Sequence, residues 1–354
     1  MSATGRTKTK KAATTEPLPT GKPPVAKPKV GVLLVNLGTP DGTDFASMRR
    51  YLKEFLSDRR VIEWPRAIWY PILNGIVLNT RPKKSGRNYE RIWNREKNES
   101  PLRTFTRSQA EKLAETLKDY PNVVVDWAMR YGQPSIEDVL TRLRNGGCQR
   151  IVMFPLYPQY SATTTATVND KFFEALMKTR FMPAVRTVPS YEDEPAYIEA
   201  LARSIEKHLA TLSFEPEVVI ASYHGIPQSY ARRGDPYPDH CMTTSRLLRE
   251  RLGWDEKKLL TCFQSRFGPE EWLQPYTDET VERLAREGVK SIAAFNPGFV
   301  ADCLETLDEI GNEAAESFHE HGGVNFSHIP CLNDSDEGMS VIETLVRREL
   351  QGWV

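Results

Sequence analysis

Three stretches of this chain carry residue types that can do chemistry. The first, residues 217–227, reads EVVIASYHGIP: an apolar run ending in His224, with Gly225, Ile226 and Pro227 directly after it. A histidine at the end of a strand-like run is placed to face a cleft. Its imidazole can ligate a transition metal or accept a proton near neutral pH. A lone histidine is more often structural, and position alone does not separate the two readings. The second stretch, residues 301–313, reads ADCLETLDEIGNE and repeats a carboxylate every four residues, at Glu305, Glu309 and Glu313. On a helix these share one face, where like charges are mildly destabilising. The row is either a solvated acidic face or a track that conducts a cation towards a site. Carboxylates crowded together become proton acceptors closer to neutral pH.

The third stretch is YPQYSATTT, residues 157–165, which joins aromatic rings to a hydroxyl-rich turn. Its plainer reading is a strand end followed by a Ser/Thr helix cap. Tyr131, Tyr160, Trp272 and Phe299 add aromatic surface after other apolar runs, and walls of that kind suit a flat, apolar, aromatic ligand. Arg91, Arg103 and Arg130 could pair with carboxylates on such a ligand, although most arginines are simply solvated. Cys303, two residues before Glu305, is either a soft metal contact or, more simply, a small packed residue.

Several other chemistries lose support. No G-x-x-x-x-G-K-[ST], no G-x-G-x-x-G after the first apolar run and no G-x-S-x-G is present. Lys plus Arg and Asp plus Glu both number 47, so the chain lacks the basic excess of a nucleic-acid binder. The five cysteines are scattered and never form C-x-x-C, which argues against a structural zinc site or a disulfide framework and for reduced thiols in the cytoplasm. No apolar run approaches the roughly 18 residues of a membrane span, and no apolar core follows the basic N-terminus as in a secretory signal. Residues 1–28 are rich in Thr, Lys, Pro and Ala and predict a disordered tail.

The elements that must position these groups are legible from periodicity. Apolar, β-branched runs at 29–40, 123–132, 150–161 and 184–191 read as buried parallel strands. The series begins again at 217–227, 258–268, 291–299 and 324–333. Segments with helical period lie between them, at 108–120, 135–147, 195–212, 242–254 and 278–288. Alternation of this kind predicts an α/β fold of two Rossmann-like doubly wound domains, each with a four-stranded parallel sheet flanked by helices. The expected divisions are 29–187, with a lip from Leu52 to Ile92, then 188–334, and a C-terminal helix in 335–354 packing back on the first domain. In open sheets of this type ligands bind beyond the carboxyl ends of the strands. All the motifs above fall there, so the expected site is a cleft between the two domains.

Taken together, these segments resemble the ferrochelatase family, from Lys29 onward. The most specific motif is Ser222-Tyr223-His224-Gly225-Ile226-Pro227 with Gly234-Asp235-Pro236-Tyr237 downstream; the second runs from Pro297 to Leu307. NLGTP, YLKEFLSDRRVI, YERI, SPL, MRYG, YPQYS, QSRFGP and WLQP occur in the family's order. The resemblance implies a chelatase-like fold and insertion of Fe2+ into protoporphyrin IX, the terminal step of haem synthesis. It implies that His224 and Glu305 flank the macrocycle centre as catalytic and metal-binding groups, with Glu309 and Glu313 on the metal path. It puts Leu37, Arg91, Arg130, Tyr131, Tyr160, Ser161, Trp272 and Phe299 against the porphyrin, Arg91 on a propionate.

The chemistry is consistent with this. A planar porphyrin chelates poorly because the metal must enter through its face, and a tight cleft can use binding energy to favour a saddled ring. Some relatives hold a [2Fe-2S] cluster through cysteines, three of them often in a C-terminal extension. This chain ends at Val354, and Ala162 stands where such relatives can have cysteine. The expectation is therefore no cluster, no cofactor beyond the iron substrate, and a monomer. Residues 64–78, WPRAIWYPILNGIVL, are equally suited to touch a bilayer peripherally or to cap the cleft. Three alternatives stand beside this reading: a coproporphyrin or other tetrapyrrole chelatase, a non-catalytic porphyrin or haem carrier, and a periplasmic-type binding protein.

Overall fold

The computed structural model describes residues 28–354; the expected tail at 1–28 lies almost wholly outside the described residues. Eight strands form two sheets. The first holds β1 (Lys29–Gly38), β2 (Val123–Tyr131), β3 (Cys148–Pro155) and β4 (Ala184–Thr187) in the order β2-β1-β3-β4. The second holds β5 (Val218–His224), β6 (Leu259–Gln264), β7 (Ser291–Phe295) and β8 (Asn325–His328) in the order β6-β5-β7-β8. Every pairing is parallel. The expected α/β class and the repeated four-stranded unit are both found. The central strands read clearly because they are apolar on both faces: Val32, Leu33, Leu34 and Val35 of β1 are all fully buried, as a strand covered on two sides requires, while the edge strands β4 and β8 are short and only partly buried.

In each sheet the strand order reverses beside the first strand of the unit, between β1 and β3 and between β5 and β7. Crevices for ligands open at such points, outside the carboxyl ends of the strands. His224 is the last residue of β5, so the sequence places it at that opening by construction.

The two sheets share one core. Val30, Val32 and Leu34 of β1 belong to the same buried cluster as Val219, Ala221 and Tyr223 of β5, with Tyr197, Leu201 and Ile205 of helix Pro195–Leu209 and Leu345 and Val346 of helix Asp336–Leu350. Separate clusters fill the outer face of each sheet. The C-terminal segment returns to the first sheet, where Arg150 donates to the Trp353 carbonyl (2.8 Å) and the Arg186 guanidinium lies 4.3 Å from the Trp353 ring centroid.

Between β1 and β2 the chain builds a helical lip with its own core of Met48, Tyr51, Leu52, Trp69, Leu73, Leu78 and Tyr89. It comprises helices Phe45–Leu56, Arg66–Ile72 and Leu78–Ile92, the last two joined by a π-helical turn, Leu73–Val77. Gly38 makes the turn from β1 into the lip. Its φ is +118°, and a Cβ there would sit 1.8 Å from the Tyr131 carbonyl oxygen, so only glycine fits.

Candidate active site

A cleft of about 650 Å³ opens between the carboxyl ends of the two sheets, beneath the lip. That volume is of the size used for small-molecule and cofactor ligands. His224, Glu305, Glu309, Glu313, Leu37, Ser161, Trp272 and Phe299 all line it. Residues spread from 37 to 313 are thus brought together by the two strand-end crevices facing each other.

His224 is held in one tautomer. Its Nδ1 lies 2.7 Å from the Gly225 carbonyl oxygen, which can only accept, so Nδ1 carries a hydrogen and, in the neutral ring, the lone pair is on Nε2. The Trp272 ring is 6.4 Å away, centroid to centroid. Gly225 allows this crowding: a Cβ would meet the Gln264 carbonyl at 3.0 Å and the Trp272 ring at 3.2 Å.

Glu305 opens a π-helical segment, Glu305–Ala314. The expectation was an α-helix, and the difference matters. Residues four apart drift by about 40° per step around an α-helix; the wider π turn, bonded i→i+5, rotates less per residue, and all three carboxylates line the cleft. Exposure rises along the row: Glu305 and Glu309 are half-buried, and Glu313 is exposed. Burial, and next the charge of Glu305, push the Glu309 carboxyl up to about 7, against hydrogen bonds from Ser265 and Gln264 that pull it down. Ser265 sits in the left-handed region, φ +66°, an uncommon conformation for serine that aims its hydroxyl at Glu309.

Cys303 also lines the cleft and is buried. Burial, then the neighbouring Glu305 charge, holds its thiol well above the ordinary value, so it is a neutral thiol and not the thiolate that metals prefer.

Four expected porphyrin contacts are absent from the cleft wall. Arg130 is committed elsewhere: it pairs with Asp58, and its Nε donates to the Thr167 hydroxyl at 2.7 Å. Tyr131, fully buried, donates to the same Asp58 carboxylate (2.9 Å). Together they hold the start of the lip to β2. Arg91 is paired through Nη2 with Asp308 (2.6 Å) and Glu313 (3.4 Å), which ties the lip to the π-helical segment. Tyr160 lies behind the wall, its backbone N–H donating to His240 (3.2 Å). Arg103 pairs with Asp41 (2.8 Å).

The cleft instead presents Arg81 and Lys84, which sequence reasoning missed. They lie three residues apart on helix Leu78–Ile92 and form no ion pair among the described residues. The Arg81 guanidinium stacks 4.4 Å from the Phe267 ring centroid, and burial lowers its pKa. Tyr51, Tyr89, Tyr157, Trp64 and Trp69 supply further aromatic wall. Two buried polar atoms in that wall, Tyr157 Oη and Gln159 Oε1, have no hydrogen-bond partner among the described residues.

The second domain reaches across to fix these elements. Asp235 accepts from the Ser161 hydroxyl (2.9 Å) and the Ala162 N–H (2.8 Å), capping the turn after YPQYS. Trp64 Nε1 donates to Glu270 (2.9 Å), and Arg233 pairs with Glu63 (2.5 Å), tying the lip to the far wall.

Comparison with known proteins agrees with this geometry. The ferrochelatase family model matches residues 29–350. A protein named ferrochelatase from Brucella anthropi is 80% identical over 327 residues, 92% of this chain and 93% of that one. A second, from Brucella abortus, is 77% identical over the same share. Among solved structures, SirB from Bacillus subtilis with Fe3+ aligns with a TM-score of 0.54 and 13% identity, covering 92% of this chain and 97% of that one. The sirohydrochlorin chelatase SirB in complex with cobalt gives 0.52 at 12% identity, covering 91% and 97%. At such identities these two speak for the fold alone. The family model and the closely similar relatives reach further: this chain belongs to the ferrochelatase family.

Proposed function

We propose that the cleft binds protoporphyrin IX and that His224 and Glu305 act on the macrocycle centre as Fe2+ enters, giving protohaem and two protons. The observation that carries this reading is the pairing, in one aromatic cleft, of an imidazole with a free Nε2 lone pair and a carboxylate at the head of an acidic row. Insertion requires two pyrrole N–H protons to leave, and both groups are competent acceptors. Both are also ligands suited to ferrous iron, and the porphyrin supplies four nitrogens of its own. Glu313 and Glu309 form the approach from solvent to Glu305.

Arg81 and Lys84 take the propionates in this proposal, in place of Arg91 and Arg130. They are the cleft-lining cations without an ion pair among the described residues, Arg266 being paired with Asp278 and Glu279, and guanidinium–carboxylate pairing is strong where water is partly excluded. Leu37, Trp272 and Phe299 pack on the ring, and Ser161 adds a hydroxyl at its edge. The reading carries no iron–sulfur cluster, as expected from the scattered cysteines and from Ala162.

The chain acts as a monomer in the cytoplasm and touches a membrane through the lip. Ile68, Tyr70 and Ile76 stand exposed there, beside the cations of helix Leu78–Ile92. No helix among the described residues is long and apolar enough to cross a membrane. The test of the site is single-turnover insertion under anaerobic conditions. Glu305→Gln should bind porphyrin as wild type does and insert no iron; insertion at an unchanged rate would remove Glu305 from the mechanism.

A further inference from the structure

Behind the cleft, where the substrate does not reach, two buried amides are locked in orientation by backbone carbonyls. Asn296 follows β7 and is 2% exposed; Gln264 ends β6 and is 7% exposed. Neither lines the cleft. The Asn296 side chain approaches the Ser222 carbonyl at 3.0 Å, and that oxygen can only accept, so the group facing it is Nδ2. The same Nδ2 lies 2.7 Å from the Gln264 side chain, which must therefore present Oε1. The Ser222 hydroxyl adds a second donor to that Oε1 at 2.7 Å. The other end of Gln264 is then Nε2, and it meets two acceptors: the Glu305 carbonyl (2.7 Å) and the Glu309 carboxylate (3.2 Å). Both ends of the chain of amides are fixed by backbone carbonyl oxygens, of Ser222 and of Glu305, which cannot donate.

We infer that Gln264, oriented by Asn296, is a positioning residue for metal delivery: its Nε2 staples the first turn of the π-helical segment and aims the Glu309 carboxylate along the acidic row. One NH2 group ties the backbone of one carboxylate residue to the side chain of the next. The spacing between Glu305 and Glu309 is thereby set from the sheet and not by the helix alone. The inference rests on the proposed role of Glu309 in iron delivery.

Asn296→Asp tests it from a distance. Ionised aspartate is nearly isosteric and can only accept, so Gln264 must turn over and offer it Nε2. Oε1 then faces the Glu305 carbonyl and the Glu309 carboxylate, and the staple becomes a repulsion. Steady-state insertion of Fe2+ is measured with the full chain, and Glu309→Gln is run in parallel. The expected result is a KM for Fe2+ raised about tenfold, with the KM for porphyrin and kcat at saturating iron within about twofold of wild type.

An unchanged iron KM in a folded Asn296→Asp protein overturns the inference. An equal rise in both KM values also overturns it, because that is distortion of the whole cleft. An unchanged iron KM in Glu309→Gln removes the delivery role beneath it, a separate failure from the first. Should Asn296→Asp not fold, Gln264→Leu replaces it: a selective rise in iron KM supports the staple, and wild-type values refute it.

Discussion

The Arg91–Asp308 pair makes a prediction that separates two roles for one arginine. Asp308 has a fully buried side chain, and it accepts from Arg91 at 2.6 Å and from Asn312 at 3.0 Å. Breaking a buried pair from one side typically costs about 3–5 kcal/mol, because the remaining charge is left uncompensated. Arg91 is 44% exposed, so water and Asn312 recover part of that. A loss of about 2 kcal/mol is the expected cost of Arg91→Ala. Urea unfolding at neutral pH measures it. Adding Asp308→Asn removes the stranded charge, so the double variant should return to within about 0.5 kcal/mol of wild type, a coupling read directly by the cycle. The KM for porphyrin should move less than about twofold in Arg91→Ala, since the guanidinium holds the lip helix to the π-helical segment and not a propionate. Unchanged stability together with a porphyrin KM raised about tenfold would refute this and return Arg91 to the ligand.

Three further outcomes follow from the site. Arg81→Ala or Lys84→Ala should raise the porphyrin KM by about tenfold each with kcat little changed, measured at saturating iron. Glu309 has a carboxyl raised to about 7 in the folded state. It therefore favours folding below its ordinary pKa near 4.5, and that contribution is lost as pH rises through 7. Glu309→Gln should thus gain up to about 3 kcal/mol over wild type between pH 4.5 and 7.5 in urea unfolding, with no further gain above; a difference independent of pH would contradict the burial argument. Cys303→Ser should leave the iron KM within about threefold of wild type, because a neutral buried thiol is a poor ligand.

Much of this architecture was legible. The central strands β1, β3, β5 and β7 declare themselves because they are apolar and buried on both faces, and the helices with a clean 3.6-residue stripe, such as Ile136–Asn145, do the same. The lip was legible only as a region. Its helices contain Pro71 and Pro82, and Gly75 lies in the π turn between them, so every local signal there reads as a break. Tertiary packing of Leu73 and Leu78 overrides those signals.

The site divides along the same line. His224 could be found because it ends β5, and Glu305 because it heads a row of carboxylates every four residues in the loop region after β7. The π turn could not, since carboxylates repeating every four residues fit either helix. Arg91 and Arg130 misled because their partners are remote in sequence: Asp308 is 217 residues from Arg91, and Asp58 is 72 from Arg130. Before folding, nothing distinguishes an arginine with a distant partner from one left free, as Arg81 is. The signal that could have found Arg81 and Lys84 is their i, i+3 spacing within the lip.

The central claim is that one imidazole and one carboxylate in this cleft carry iron into a porphyrin. Anaerobic Fe2+ insertion into protoporphyrin IX, followed as loss of porphyrin fluorescence with wild type and His224→Ala side by side, tests it most directly. Turnover by the wild type that disappears in His224→Ala, while porphyrin still binds, is the expected result. Tight porphyrin binding by the wild type without insertion, or full turnover by His224→Ala, would contradict the account.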